Sequence, residues 1–166
     1  MARFKTSQIC LALGGHARVL PGTINFTGIR EFEGPAMPIV VHEGTRELNE
    51  LLRSDTKDRV AIIDGSHLGR TAAIGRQEVT SAFTGGCRAI VVLGFATHLA
   101  ALEMARIPVL AFSPTPKAPP AEFGTAHAGL IDSEVGLITA AHYIVGDADV
   151  VVAVEREIYQ ERFTFK

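Results

Sequence analysis

The sequence predicts an α/β fold with a parallel core sheet and a further β layer contributed by the C-terminal third of the chain. In the middle of the chain, strands made entirely of apolar residues alternate with helices, which is typical of a parallel sheet covered on its faces. In the last third, short strands are separated by turns of Asp, Gly and Ser, which is typical of an antiparallel or barrel-like arrangement. Because 166 residues is close to the commonest size of one domain, we expect a single domain over residues 1–166.

The composition narrows the class of protein. Hydrophobic residues make up 47% of the chain, which is typical of a packed domain and excludes a disordered or collagen-like one. Sixteen Lys and Arg against eighteen Asp and Glu create no basic field, so we expect no direct binding to nucleic acid. Two cysteines give no disulfide framework, no apolar run reaches the roughly 18 residues of a membrane span, and the start lacks a signal-peptide core. We therefore expect a cytoplasmic protein without a membrane partner.

The first third of the chain contains four predicted segments. A helix over residues 6–13 has Thr and Ser at its start to cap it and ends at a Gly-Gly pair. Residues 21–35 are rich in turn-forming glycine and proline and are predicted to form loops around short extended pieces. A β-branched run predicts a strand over 37–42, and three leucines share one face of a predicted helix over 45–53.

The remaining elements follow from apolar runs and the turn residues between them. The middle of the chain is predicted to contain strands over 60–64, 89–93 and 109–112, with helices over 75–83 and 98–105. A proline-rich segment over 113–123 is predicted to be a surface excursion. The last third is predicted to contain strands over 129–132, 135–138, 143–145 and 150–154, and a charged terminal helix over 155–163.

Two loops follow the carboxyl ends of predicted parallel strands, where ligands bind in α/β sheets. The first leads into the helix that begins with Gly75, Arg76 and Gln77. Glycine lets a ligand approach the backbone, free N–H groups at a helix start favour an anion, and Arg76 can make a bidentate contact to a carboxylate or phosphate. The alternative is that Gly75 only permits a turn and Arg76 is a solvated first-turn residue. The loop lacks the Gly-Lys-Ser/Thr of a nucleotide-binding Walker loop.

The second loop ends in Thr97 and His98, just after a strand-terminal glycine. Histidine at this place can serve as a base or as a metal ligand. The alternative is a histidine that caps a helix or lies between subunits. The six histidines of the chain show no H-x-x-x-H or H-x-E spacing, so no sequence-local metal site is indicated and only His98 is a candidate ligand.

Two potential nucleophiles have simpler explanations. Cys87 directly precedes a buried strand, and no nearby motif would activate it, so we expect it to be a small core residue. Ser66 lies beside His67 but not in a G-x-S-x-G elbow, which argues against an esterase.

Several segments together resemble a known family. They are 19–22 (VLPG), 25–28 (NFTG), 32–36 (FEGPA), 60–65 (VAIIDG), 91–94 (VVLG) and 146–153 (GDADVVVA). The chain resembles the RraA-like family, which includes the regulator of ribonuclease activity, relatives once labelled demethylmenaquinone methyltransferase, and the 4-hydroxy-4-methyl-2-oxoglutarate/oxaloacetate lyases. The resemblance extends over 6–154, so residues 155–166 are expected to form a C-terminal helix and tail.

The resemblance carries expectations about fold and chemistry. It implies a three-layer β/β/α fold of the swivelling-domain type, and a ring-shaped homotrimer, sometimes stacked into hexamers, with clefts between subunits. It also implies, for the lyases, a divalent metal such as Mg²⁺ or Mn²⁺ that polarises a 2-oxo acid and stabilises a pyruvate enolate.

The chain departs from the family pattern at three charged positions. Where the family commonly has Gly-Asp at the helix start, this chain has Gly75 and Arg76. Where the family commonly has Gly-Cys-Val-Arg-Asp, with Arg on the substrate and Asp on the metal, this chain ends in Thr97 and His98. Hard oxygen ligands are what Mg²⁺ prefers, and a lone histidine is a poor substitute. We therefore expect that the usual Arg/Asp metal-dependent lyase site is not retained.

Two functions follow as hypotheses. The first is a trimer that binds a small carboxylate of the 2-oxo acid type between subunits, at Gly75, Arg76, Gln77 and Thr97, or that binds a protein partner. The alternative is an aldolase or oxaloacetate decarboxylase with a rebuilt site, in which His98 is the base or a ligand to a softer metal and Arg76 contacts the substrate. Methyl transfer to a quinone is the least favoured activity, because the chain has no Rossmann-type glycine-rich loop.

Overall fold

The structure of the chain, a computed structural model, describes residues 2–134 and 136–163. The α-helices are α1 (Thr6–Leu13), α2 (Arg46–Ser54), α3 (Arg76–Thr84), α4 (Leu99–Glu103) and α5 (Arg156–Phe163). The strands are β1 (Arg18–Val19), β2 (Ile24–Asn25), β3 (Phe32–His42), β4 (Val60–Asp64), β5 (Ala72–Ile74), β6 (Ala89–Leu93), β7 (Phe95–Ala96), β8 (Val109–Ala111), β9 (Ser113–Pro114), β10 (Thr125–Ala128), β11 (Ile131–Ser133), β12 (Gly136–Ile138), β13 (His142–Gly146) and β14 (Val151–Glu155). None of the described helices is long and apolar enough to cross a membrane.

The largest sheet has a parallel centre and antiparallel edges. Its strands lie in the order β1-β14-β13-β3-β4-β6-β8-β2, and β10 also pairs with β3. The strands β3, β4, β6 and β8 are parallel to one another. In the register of this centre, Ile39 lies opposite Ile63, and Ile63 lies opposite Val92. The alternation of apolar strands with helices therefore predicted the parallel core correctly.

The long strand β3 joins the two halves of the sheet. Its first residues, from Phe32 to Pro35, pair with the antiparallel strand β13, whereas the following five residues pair with the parallel strand β4. The sequence predicted loops around short extended pieces over 21–35, and this was wrong for residues 32–35, because Gly34 and Pro35 are not turn residues here. Gly34 lies so close to the backbone of a neighbouring segment that a Cβ atom on Gly34 would be 3.2 Å from the carbonyl oxygen of Asp58. Glycine thus permits a close approach inside a strand.

Three apolar clusters show how the layers pack. One cluster, which includes Leu48 and Ile63, lies between the parallel strands and the helices α2, α3 and α4. A second, which includes Ile62 and Ile144, joins the opposite face of the parallel strands to the C-terminal strands. A third, which includes Ile9, packs α1 and α5 onto the outer face of β13 and β14. The sheet therefore curls until its antiparallel half faces its parallel half, and the predicted mixed α/β fold class is confirmed.

The predicted C-terminal β layer is continuous with the core sheet rather than separate from it. The strands β13 and β14 pair with each other, and β13 pairs directly with β3. Only the hairpin of β11 and β12 forms a small sheet of its own among the C-terminal strands that the structure describes. The first residue of the strand predicted over 135–138 lies outside the described residues. The helix predicted over 98–105 is shorter, because residue 98 has a left-handed backbone and precedes the first turn.

A buried carboxylate attaches α1 to the sheet. Asp147, directly after β13, accepts hydrogen bonds from the Thr6 N–H (2.7 Å), the Thr6 hydroxyl (2.9 Å) and the Asp149 N–H (2.9 Å). Burial by itself would raise the pKa of Asp147, but these hydrogen bonds outweigh burial and hold its pKa below the usual value. The negative charge of Asp147 is therefore part of what stabilises the docked helix.

The replacement Asp147→Ala is expected to lower the free energy of unfolding by about 1–3 kcal/mol at neutral pH, because it leaves the buried Thr6 N–H without an acceptor. Since the pKa of Asp147 is lowered in the folded state, its contribution is present above the ordinary Asp pKa of about 3.9 and is lost as the pH falls through the folded value. Urea unfolding is therefore expected to show a difference in the free energy of unfolding between wild type and variant, and this difference decreases as the solution becomes acidic. The matched control is Asp149→Ala, which removes an exposed carboxylate; an equal loss in this control would contradict the assignment.

Candidate functional site

Two loops meet at the carboxyl ends of the parallel strands. The short strands β5 and β7 pair in parallel, and the N–H of Thr97 donates to the carbonyl oxygen of Ile74 at 3.0 Å. This hydrogen bond sets the residue before Gly75 beside the residue before His98. The structure therefore brings together the two segments that the sequence singled out separately.

The contact between Gly75 and His98 leaves no room for a side chain at position 75. A Cβ atom on Gly75 would lie 2.7 Å from Nδ1 of His98 and 3.0 Å from Cγ2 of Thr97, closer than side-chain carbons normally approach. His98 itself has a φ of +58°, in the left-handed region that non-glycine residues rarely adopt. A glycine at 75 and a strained backbone at 98 together place the imidazole over the start of α3.

A buried polar network fixes the first turn of α3. The Glu78 side chain is only 3% exposed, and its carboxylate accepts hydrogen bonds from the Gly75 N–H (2.7 Å) and the Asn49 amide (2.8 Å). The Ser81 hydroxyl donates to the Asn49 amide oxygen at 2.7 Å, which ties α3 to α2. All of these polar groups are satisfied, so the network rigidifies the helix start. Sequence reasoning missed it, although a glutamate three residues after the residue that caps a helix is the pattern of a capping box.

An open cleft of about 450 Å³ lies beside this turn. Its lining includes Arg76, Gln77 and His98, three of the residues that the sequence singled out, together with Arg53 from α2, which sequence reasoning missed. No Asp or Glu lines the cleft among the described residues; the other lining side chains are hydroxyls of Thr80, Ser81 and Thr84. The lining can therefore attract an anion through two guanidinium groups and can donate hydrogen bonds to it.

The other two predicted contact residues lie behind the lining. Thr97 is 5% exposed, and its side chain packs against Gly75. Gly75 is buried as well, and its N–H is already occupied by Glu78. Both residues therefore shape the cleft, whereas Arg76, Gln77 and His98 face it.

The donor set does not fit a hard divalent cation. Mg²⁺ and Mn²⁺ prefer carboxylate and carbonyl oxygens, whereas the cleft offers an imidazole beside two guanidinium groups that repel a cation. Glu78 is close in sequence, but both of its oxygens accept hydrogen bonds from the protein. Within residues 2–134 and 136–163, no three His, Cys, Asp or Glu side chains are grouped so as to hold a metal ion.

Three histidines to which sequence reasoning gave no role lie together at another part of the same edge. The rings of His42 and His67 have centroids 4.4 Å apart, and those of His42 and His127 have centroids 5.8 Å apart. They come from the end of β3, the loop after β4, and β10. No sequence spacing links these residues, since only the pairing of β10 with β3 brings His127 next to His42.

The expectation for Cys87 is met. This residue is buried, its thiol donates to the carbonyl oxygen of Ala89 at 3.1 Å, and burial raises the pKa of the thiol. A thiol with a raised pKa is a weak nucleophile, so Cys87 is a core residue.

Comparison with known proteins assigns the family. The family described as "RraA-like: Aldolase/RraA" matches residues 6–153. The chain belongs to the RraA-like family. Relatives from Burkholderia mallei and Burkholderia pseudomallei, each named "Putative 4-hydroxy-4-methyl-2-oxoglutarate aldolase", are 30% identical over 156 residues, which is 88% of this chain and 92% of the relative.

Solved structures support the family fold. The RNA-processing inhibitor RraA from Thermus thermophilus has a TM-score of 0.80 at 22% identity and covers 93% of this chain and 94% of its own. A protein from Geobacillus kaustophilus, described as an S-adenosylmethionine:2-dimethylmenaquinone methyltransferase, also has a TM-score of 0.80, at 24% identity over 92% of this chain and 95% of its own. At these identities the likeness shows the RraA fold and carries no activity with it.

Proposed function

We propose that this RraA-like protein binds a small carboxylate of the 2-oxo acid type in the cleft beside α3, and that it does so without the Arg/Asp metal-dependent lyase chemistry that the family resemblance implies. The observation that carries the proposal is the lining of the cleft, which presents Arg53, Arg76 and His98 and no acidic side chain among the described residues. A carboxylate fits the forked donors of one guanidinium group, and a 2-oxo group can accept from the other. The hydroxyls of Thr80 and Ser81 already donate within the protein, to the Arg76 carbonyl oxygen and the Asn49 amide oxygen.

The strength of this binding is limited by solvent. Arg53 and Arg76 are exposed, so water and salt screen their charges, and the interaction of each with an anion is worth far less than in a buried site. The walls, in contrast, are well fixed, because Glu78 and Asn49 hold the first turn of α3 against α2. A fixed wall with exposed charges is suited to a ligand that binds and leaves readily.

Self-association forms a second part of the proposal. An apolar groove between α3 and α4 shares Arg76 and Thr80 with the cleft. On its wall, Phe83 is 47% exposed and Met104 is 84% exposed, an apolar surface that a second chain or a protein partner would cover. We propose a homotrimer, with stacking to a hexamer, whose subunits meet at the cleft. Sedimentation equilibrium at micromolar concentration is expected to show a trimer or hexamer, and a monomer would contradict this part of the proposal.

Cellular location and macromolecular partners complete the proposal. We expect a cytoplasmic protein that makes no direct contact with nucleic acid, which is supported by the balanced charge and by the free thiols of Cys10 and Cys87.

The replacements Arg53→Ala and Arg76→Ala are each expected to weaken binding of oxaloacetate or pyruvate about tenfold, because each removes one charge-assisted contact worth roughly 1.4 kcal/mol. Isothermal titration calorimetry gives the affinity, and a thermal shift that grows with ligand concentration confirms binding to the folded state. The matched control is Arg59→Ala, an exposed arginine that does not line the cleft. Absence of any response in wild type, or an unchanged response in Arg76→Ala, would exclude the carboxylate site.

The alternative is a lyase with a rebuilt site. It is favoured by the aldolase name of the Burkholderia relatives and by the exposed imidazole of His98 on the cleft. In that case His98 acts as the base, or as a ligand to a softer metal such as Zn²⁺, and Arg76 contacts the substrate carboxylate.

An oxaloacetate decarboxylation assay with Mg²⁺, Mn²⁺ or Zn²⁺ separates the two functions. From the lining of the cleft we expect no protein-dependent rate above that of the metal alone. A metal-dependent rate that His98→Ala abolishes would establish the lyase instead. The matched control is Thr84→Ala, which alters the lining of the cleft but changes no charge and no base. Asn49→Ala cannot serve as the control, because it breaks the network that holds α3.

A further inference from the structure

A second cavity, of about 430 Å³, lies where three loops meet beyond the carboxyl ends of β3 and β4. This volume is in the range of small-molecule sites. Much of its wall is apolar and comes from Leu68, Pro119, Pro120 and Phe123. The charged groups on the wall are Glu43 and Lys117, and His67 also lines the cavity.

The cavity is held open by the backbone rather than by flexible side chains. The N–H groups of Thr45 and Arg46 donate to the carbonyl oxygens of Pro120 (2.9 Å) and Phe123 (3.1 Å), and the Ala72 N–H donates to the carbonyl oxygen of Lys117 (3.0 Å). The loop before α2, the loop after β4 and the proline-rich segment are thereby bonded to one another. Two consecutive prolines stiffen the third loop further. A cavity formed in this way does not have to be ordered when a ligand enters.

The backbone beside Glu43 is locked in an unusual conformation. Glu43 has a φ of +57°, which is rare for a residue with a side chain. The next residue, Gly44, lies so close to the proline-rich segment that a Cβ atom would be 2.3 Å from the carbonyl oxygen of Phe123. This contact over-determines the strained backbone and presents the Glu43 carboxylate to the cavity.

Glu43 and Lys117 line the same cavity without pairing. Among the described residues, ion pairs join Lys5 to Glu31 and Arg88 to Asp58, and neither Glu43 nor the side chain of Lys117 takes part in an ion pair or a hydrogen bond. An acid and a base on one apolar wall, each without a protein partner, complement a ligand that carries both charges. Two aromatic surfaces lie near them, since Phe123 is on the wall and the imidazole of His67 packs on His42.

We propose that this cavity binds a free α-amino acid with an apolar side chain. The Glu43 carboxylate accepts hydrogen bonds from the ammonium group of the ligand, and the Lys117 ammonium group donates to the ligand's carboxylate. The side chain of the ligand lies against the prolines, Leu68 and Phe123. The site is distinct from the cleft at Arg76, shares no lining residue with it, and does not rest on the proposed function. The two opposite charges of Glu43 and Lys117 favour a zwitterion, while the apolar wall disfavours amino acids with polar side chains.

The proposal is tested by titration calorimetry with L-phenylalanine, L-leucine, and two analogues that each lack one charge, 3-phenylpropionate and phenethylamine. Phenylalanine is expected to bind about tenfold more tightly than either analogue, since each analogue lacks one of the two charge-assisted contacts; Glu43 and Lys117 are both exposed, so no desolvation penalty adds to that loss. Glu43→Gln is expected to weaken the binding of phenylalanine about tenfold and to leave the binding of 3-phenylpropionate unchanged. Lys117→Met is expected to weaken the binding of phenylalanine and of 3-phenylpropionate, and to leave the binding of phenethylamine unchanged.

Control variants distinguish this site from general charge effects and from the cleft. Glu122→Gln removes an exposed carboxylate that does not line the cavity, and Arg76→Ala alters the cleft; phenylalanine binding is expected to be unchanged in both. Circular dichroism confirms that each variant is folded. The proposal would be overturned if neither phenylalanine nor leucine gave a heat of binding at a ligand concentration of 10 mM, which corresponds to about the weakest affinity of interest. Equal affinities for phenylalanine and 3-phenylpropionate, unaffected by Glu43→Gln, would also overturn it by showing a site for apolar anions.

Discussion

The hydrogen bond between the Thr97 N–H and the Ile74 carbonyl oxygen determines where the cleft of this protein lies. It sets β7 beside β5, so that the two loops at the carboxyl ends of the sheet share one wall. The absence of a side chain on Gly75 then lets the His98 ring approach the start of α3, and the buried Glu78 fixes that start from below. A change in any of these contacts would move His98 and Arg76 relative to each other, because both residues closely follow the paired segments.

The electrostatics of the cleft follow from which side chains this scaffold carries. At an effective dielectric constant of about 20, a carboxylate roughly 4 Å from one guanidinium group gains about 4 kcal/mol before the cost of losing water, and exposure reduces the net gain to a fraction of that. A divalent cation at the same distance would meet a repulsion of about twice that size from each of Arg53 and Arg76, because the energy scales with the product of the charges. The sum of all charges, −2, conceals this local excess of positive charge. The lining, rather than the total, therefore decides between an anion site and a cation site.

The sequence was sufficient where the signal is local. Apolar runs predicted the strands β4 and β6 within their observed bounds, and the leucine spacing predicted α2 within one residue. It failed where packing overrides local chemistry, as at Gly34 and Pro35, whose turn character is overruled by pairing with β13. It also failed wherever a site is assembled from distant segments. Arg53 reaches the cleft only because α2 packs on α3, and no pattern in the sequence brings that residue to Arg76.

Backbone strain gives an independent reason to regard the two cavities as built features. Among the described residues, three that are not glycine have a positive φ: Glu43, Asp58 and His98. Glu43 lines the cavity behind the proline-rich segment, and His98 lines the cleft. A left-handed backbone at a residue with a side chain is unfavourable by roughly 1–3 kcal/mol, and it persists only where the surroundings over-determine it. Packing alone does not require a charged carboxylate or an imidazole at these two points, since glycine or asparagine would adopt the same backbone with less strain. The strain is explained if the side chains themselves are needed where that backbone places them.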